Sequence, residues 1–246
     1  QRRAVKSLEG ILELDPSNAE AAGMLLPIYR EIGSWKKLPD IYDVVLEATT
    51  DSAERLTLLL AKAEVLESHL RDAEAAFFTY LEAIQTHPNN VSLYGELRRL
   101  ADKSNNWEVY TATIEDTAEL IDNVTDRAAA LLDLGMVYMD ATGDPEAALE
   151  AFERVVALDE GNLEALNAME SLHKGGGNYE ALIAVLQQKL AITDAPDERK
   201  ALLFSSVEFD ALPQHRLLLR RHCHQRAQAA VGDRIAWRLE TWPSRH

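Results

Sequence analysis

The residues able to carry out metal or redox chemistry are few in this chain. It has seven histidines and a single cysteine, and the only close grouping of these is His222-Cys223-His224. A protein metal site needs three or four ligands, and no further histidine or cysteine lies at ligand spacing from this group. One cysteine also excludes an internal disulfide. We therefore expect no metal site.

Phosphate-binding and catalytic patterns are equally weak. The glycine run at residues 175–177 resembles a phosphate-cradling loop, but no strand precedes it and no Gly-Lys-Ser/Thr ending follows, so we interpret it as a turn between helices. His69, His87 and His173 have no serine or cysteine nucleophile at a matching spacing. Carboxylate pairs are unavoidable among 41 acids, so they indicate a solvated surface. We expect no enzymatic activity and no cofactor.

Composition and charge restrict the class of protein further. Hydrophobic residues make up 47% of the chain but aromatic residues only 7%, and the abundance of Ala and Leu favours helices over strands. The formal net charge of -16 disfavours binding to nucleic acid or to anionic lipid. No apolar run approaches the roughly 18 residues of a membrane-spanning helix. We expect no nucleic-acid partner and no membrane span, and we favour a cytoplasmic location.

The strongest signal is self-similarity at a period of 72 residues. When the chain is shifted by one period and then by a second, chemically similar residues fall on one another without a gap. The matching sets include Asn18, Asn90 and Asn162; Trp35, Trp107 and Tyr179; and Arg55, Arg127 and Arg199. A register that holds over two full periods indicates repeated structural units.

Each period is predicted to contain two helical hairpins. In one of them, Leu131, Leu134 and Tyr138 share a helical face with Gly135, and the break at residues 143–145 precedes a new helix. That second helix is predicted to bury a stripe formed by Ala148, Phe152, Val155 and Val156. The other hairpin turns at residues 33–35, 105–107 and 177–179.

These residues resemble the tetratricopeptide repeat pattern. The match is carried by Leu131, Leu134, Gly135 and Tyr138, followed by Ala148 and Phe152, with one residue more than the usual repeat length before Gly143. The resemblance implies an all-α fold: a right-handed superhelical solenoid of stacked antiparallel helix hairpins. The small residues Gly135 and Ala148 would let the paired helices approach closely.

The resemblance divides the chain as follows. A repeat array is predicted over residues 1–208, with a partial first repeat at 1–18, five repeats at about 19–51, 52–90, 91–124, 125–162 and 163–196, and an incomplete repeat at 197–208. Because the chain begins inside a second helix, we expect it to be a fragment of a longer array, similar to those of large bacterial proteins.

The segment 209–246 departs from the repeat. From His215 to His246 there are seven Arg, no Lys and two acids, which gives a net charge of +5 against -21 for the first 214 residues. One interpretation is a second, basic and anion-binding element. The other, which we favour from composition, is an out-of-frame or artificial terminus.

A solenoid of this kind binds through its concave surface, which is lined by the first helix of each hairpin. We expect a non-catalytic scaffold that binds a peptide or protein partner. The alternative is a regulatory or substrate-recruiting segment of a larger enzyme, and self-association through an uncapped end of the array is a further expectation. The candidate groove residues are Arg30, Glu64, Glu67, Arg99, Asp102, Lys103, Leu132, Met136, Met139 and Asp140. For Met136 and Met139 we favour the alternative that they pack against the adjacent hairpin.

Overall fold

A computed structural model of the chain describes residues 2–210, and these contain helices and turns but no β-strand. The prediction of an all-α helical repeat fold is therefore confirmed. The helices are α1 Arg2–Leu14, α2 Ala19–Ile32, α3 Leu38–Ala48, α4 Ser52–Glu64, α5 Ala73–Thr86, α6 Ser92–Ser104, α7 Trp107–Ala118, α8 Val124–Val137, α9 Pro145–Leu158, α10 Leu163–Gly176, α11 Tyr179–Ile192 and α12 Pro196–Asp210.

The helices belong to two compact units, one over Gln1–Glu160 and one that begins at Gly161. In the first unit each helix from α1 to α8 packs against the helix that follows it in the chain. In the second unit α10 packs on α11 and α11 on α12. Contacts between neighbours in sequence are what a stack of helical hairpins requires. The predicted end of the array at residue 208 stays a prediction, because only two residues beyond it are described.

The turns inside the hairpins repeat with the period predicted from the sequence. In five hairpins the first helix ends at a residue in the left-handed conformation, which lets the chain reverse within two residues. These residues are Gly33, Arg71, Asn105, Gly143 and Gly177. The first, third and fifth are separated by the 72-residue period, as are the second and fourth.

Two of the first helices end in a π-helical segment. Helix α4 continues as Val65–Leu70 and helix α8 as Tyr138–Thr142. In both, an amide six residues later closes the segment: Asp72 donates to the Leu66 carbonyl and Asp144 to the Tyr138 carbonyl, each at 2.9 Å. The extra residue before Gly143 is therefore absorbed by a wider helical turn and not by a longer loop.

An arginine in the first turn of one helix recurs in every period, half-buried as Arg55 and Arg127 and exposed as Arg199. Arg55, Arg127 and Arg199 each donate to carbonyl oxygens at or just beyond the end of the preceding helix, the region where a helix leaves its last carbonyl groups without the usual amide partners. The acceptors are Leu46 and Thr49 for the first, Ile121 for the second, and Leu190 and Thr193 for the third. This contact joins one hairpin to the next.

The α8–α9 hairpin shows how the core is built. Leu134, Ala148, Phe152 and Val155 are completely buried, as the helical spacing predicted, whereas Val156 is half-buried. Tyr138 is also half-buried, and its hydroxyl donates to Glu115 at 2.6 Å.

Candidate functional site

Two adjoining clefts lie along α6 and α8, the first helices of two successive hairpins. The larger has a volume of about 560 Å³ and the smaller about 270 Å³, and both are lined by Gly95 and Arg98. We call them together the α6–α8 groove. Its other lining residues are Val91, Tyr94, Arg99, Asp102, Trp107, Tyr110, Asp126, Ala129, Ala130, Asp133, Val137, Asp140 and Ala141.

Gly95 opens the groove where the two clefts meet. It lies one turn into α6 and is exposed, and a Cβ atom built on it would meet nothing within 4 Å. Packing therefore does not require glycine here, although glycine is less favourable than alanine in a helix by about 1 kcal/mol. What the missing side chain provides is direct access to the helix backbone.

A hydrogen-bonded group of three side chains lines the smaller cleft, and one of them, Arg98, also lines the larger cleft. The guanidinium of Arg98 forms an ion pair with the carboxylate of Asp133, and the hydroxyl of the buried Tyr110 donates to the other oxygen of that carboxylate. Burial, together with the charge of Asp133, raises the pKa of Tyr110. The charge of Arg98 is thus compensated within the protein.

The charge of Arg99 is also compensated by carboxylates within the protein. Its guanidinium bonds both oxygens of Glu67 at 2.5 and 2.6 Å and also contacts Glu96 at 2.6 Å, while Lys103 reaches Glu67 at 2.7 Å. The hydrogen bonds from Arg99, followed by that from Lys103, lower the pKa of Glu67 to about 2. This cluster links the π-helical end of α4 to α6.

Asp102 and Asp140 differ from these paired groups. Both side chains are exposed and both line the larger cleft. Among residues 2–210, neither has a hydrogen bond or an ion pair with another side chain. The larger cleft therefore combines neutralised arginines with two uncompensated carboxylates.

The structure brings only some of the predicted groove residues together. Glu67, Arg99 and Lys103 form one cluster, and Asp102 and Asp140 line the cleft beside it. Arg30 and Glu64 form a separate exposed pair at 3.5 Å. The remaining three are half-buried and are not among the side chains that line the two clefts: Leu132, Met136 and Met139. Their role in binding stays a prediction.

Sequence reasoning missed Gly95, Arg98 and Trp107 as groove residues. A signal was present for two of them, because Gly95 and Trp107 repeat Gly23 and Trp35 one period earlier. Nothing in the sequence marked Arg98, whose position in the groove follows from its ion pair with Asp133, 35 residues later in the chain.

The described histidines occupy structural positions. The ring of His69 stacks on Trp35, His87 hydrogen-bonds Ser52 and Thr86, and His173 is buried. In the described part of the chain no three His, Cys, Asp or Glu side chains are grouped to hold a metal ion. None of its helices is both long and apolar enough to cross a membrane. The group at residues 222–224 and the basic segment lie outside the described residues.

Comparison with known proteins places the repeats in a family. Residues 128–162 and residues 165–200 each match a tetratricopeptide repeat model. On these two matches we assign the chain to the tetratricopeptide repeat family. Repeats of this family make protein–protein interaction scaffolds, so the chain is a scaffold of that general kind. The comparison with curated proteins found no match.

Several solved structures are similar in fold. MamA is 18% identical, with a TM-score of 0.42, over 74% of this chain and 93% of MamA. YrrB, described as a TPR protein with an unusual peptide-binding site, is 16% identical with a TM-score of 0.41 and covers 82% of this chain and 98% of its own. PilW, a type IV pilus biogenesis factor, is 19% identical with a TM-score of 0.40, over 82% and 90%. The family assignment does not depend on these distant likenesses.

Proposed function

We propose that this chain is a non-catalytic scaffold that binds an extended peptide segment of a protein partner in the α6–α8 groove. The observation that supports this most directly is the pair of adjoining clefts that meet at the bare backbone of Gly95. The cytoplasm is the location that we favour for this scaffold.

The dimensions of the groove suit a short peptide. Its lining residues along α6 run from Val91, which directly precedes the helix, to Asp102, which is about 16 Å at 1.5 Å per helical residue. That length accommodates roughly five residues of an extended chain. Mixed apolar and polar lining, with polar groups held by ion pairs, is typical of sites that fix the orientation of a ligand.

The experiment that tests the proposal is a selection of random linear peptides on the full chain, followed by affinity measurement with the synthetic peptides. The decisive variant is Gly95→Leu, which fills the centre of the groove where the structure has free space. Its matched control is Gly23→Leu, since Gly23 occupies the same position one period earlier, is also exposed and also has free space around its Cβ.

We expect Gly95→Leu to lower the affinity for the selected peptides by roughly tenfold or more, which is about 1.4 kcal/mol. Gly23→Leu should leave their affinity unchanged, and both variants should keep the helical content of the parent. Failure to select any peptide, or equal losses in the two variants, would contradict the proposed site.

A further inference from the structure

The two 72-residue periods differ at one stacked pair of rings. In the first period the indole of Trp35 lies parallel to the imidazole of His69, with ring centroids 3.6 Å apart and an angle of 2° between the planes. One period later the tryptophan is kept as Trp107, but the position of His69 is taken by Ala141. The ring that covers the tryptophan in the first period is therefore missing in the second.

The structure supports the equivalence of these positions. His69 lies in the π-helical segment Val65–Leu70, and Ala141 in the π-helical segment Tyr138–Thr142. The first segment is followed by the left-handed residue Arg71 and the second by the left-handed residue Gly143, one period later. Each segment also contacts the element that contains the tryptophan of its own period. The imidazole is thus lost at equivalent positions of the two π-helical segments, whereas the backbone at the tryptophans differs: Trp35 begins the 3₁₀ turn Trp35–Lys37, and Trp107 begins α7.

The position that corresponds to His69 in the second period lies in the lining of the larger cleft. Trp107, which is half-buried, and Ala141 both line it, together with the uncompensated carboxylates of Asp102 and Asp140. One period earlier the corresponding residues are Arg30 and Ser68, so neither carboxylate is present beside the stacked pair. The substitutions that remove the imidazole therefore coincide with substitutions that add two negative charges.

We propose that this part of the cleft, the Trp107 pocket, receives an arginine side chain of the bound partner. This inference rests on the proposed function and specifies the ligand chemistry at one end of the groove. The guanidinium is planar and stacks on the indole of Trp107 as the imidazole of His69 stacks on Trp35. Its N–H groups are donors for Asp102 and Asp140, which supply the compensating charge.

Charge and shape select arginine over other groups. A phosphate or carboxylate would face two uncompensated acids in a chain of net charge -16, and Arg98 and Arg99 are already held by Asp133 and Glu67. Lysine has the right charge, but its compact ammonium lacks the flat surface that the stacked geometry uses.

The test uses N-acetyl-arginine amide as the probe and N-acetyl-citrulline amide, which has nearly the same shape without the charge, as the control. Each is added to the full chain while the indole N–H signals are followed by NMR. We expect saturable shifts of the Trp107 signal with the arginine probe and at least tenfold weaker binding of the citrulline probe. The Trp35 signal should not move, because His69 covers that ring.

Three variants complete the test. Ala141→His rebuilds the stacked pair and should abolish the response of the Trp107 signal. The double variant Asp102→Asn with Asp140→Asn should weaken the binding of the arginine probe by roughly tenfold. His69→Ala uncovers Trp35, but Arg30 and Ser68 occupy the positions that correspond to Asp102 and Asp140, so no response to arginine is expected there. Circular dichroism establishes that each variant keeps its helices.

Equal binding of the two probes, or an unchanged response in Ala141→His, would overturn the arginine pocket. This outcome is distinct from failure of the proposed function. If selected peptides bind in a Gly95-dependent way without needing arginine, the peptide groove stands and the arginine pocket fails. If the arginine probe binds at Trp107 but no peptide is selected, the pocket stands and the peptide groove fails.

Discussion

Gly135 on α8 lies directly against the ring of Phe152 on α9. A Cβ atom on Gly135 would be 2.5 Å from Cε1 of that ring and 2.8 Å from two other ring carbons, and the ring is completely buried. Glycine is thus required by the close approach of the two helices and not by backbone conformation, since Gly135 lies inside a regular helix.

Gly135→Ala should therefore destabilise the protein although alanine is the better helix former. We expect a loss of about 1–3 kcal/mol in the free energy of unfolding, the usual cost of overpacking a core. Denaturant unfolding followed by circular dichroism measures it. In a Phe152→Leu background the loss should be smaller, because the two residues share one contact. An unchanged stability would contradict the close packing.

Gly95→Ala should have the opposite effect. The same substitution on α6 meets free space, so only the helix preference changes, and we expect a gain of about 0.5–1 kcal/mol. The measurement is the same denaturant titration, and a loss of stability would show that the groove is narrower than described.

Phe152→Ala should cost about 3–5 kcal/mol, the range for a large aromatic side chain removed from a core. Because coupling in a stack of hairpins runs between neighbours, hydrogen exchange should accelerate most in α8 and α9. Uniform acceleration along the described helices would contradict this expectation.

Arg127→Met should destabilise by about 1–2 kcal/mol, because the Ile121 carbonyl loses its two guanidinium hydrogen bonds. Arg154→Met is the matched control, since both arginines also pair with Glu119. The control removes only an exposed ion pair and should cost less than about 1 kcal/mol. Thermal unfolding compares the two, and equal losses would assign the effect to Glu119 alone.

Glu67→Gln should show a characteristic pH dependence. The pKa of Glu67 is lowered from 4.5 to about 2 in the folded protein, so its carboxylate stabilises the fold fully above about pH 5, and this contribution disappears as the pH falls towards 2. At neutral pH the free energy of unfolding of the parent should exceed that of the variant by on the order of 1 kcal/mol. Urea unfolding at several pH values should show the difference shrinking below pH 4.5, and a constant difference would contradict the pairing with Arg99.

The sequence by itself determined the helices, their order and most of their turns. The 72-residue register correctly marked Gly33, Asn105, Gly143 and Gly177 as turn positions, and the helical spacing identified Leu134 and Phe152 as core. These features depend on residues close together in the chain, because caps act within one turn and an apolar stripe repeats every three or four residues.

Only the tertiary structure decided which groove is open and how its charges are compensated. The pairing of Glu67 with Arg99 and of Arg98 with Asp133 joins residues more than 30 positions apart on different helices. Such contacts follow from the packing of one hairpin on the next, which no local pattern specifies. The contrast between Trp35, covered by His69, and Trp107, beside Ala141, became interpretable only when the π-helical segments placed these side chains together.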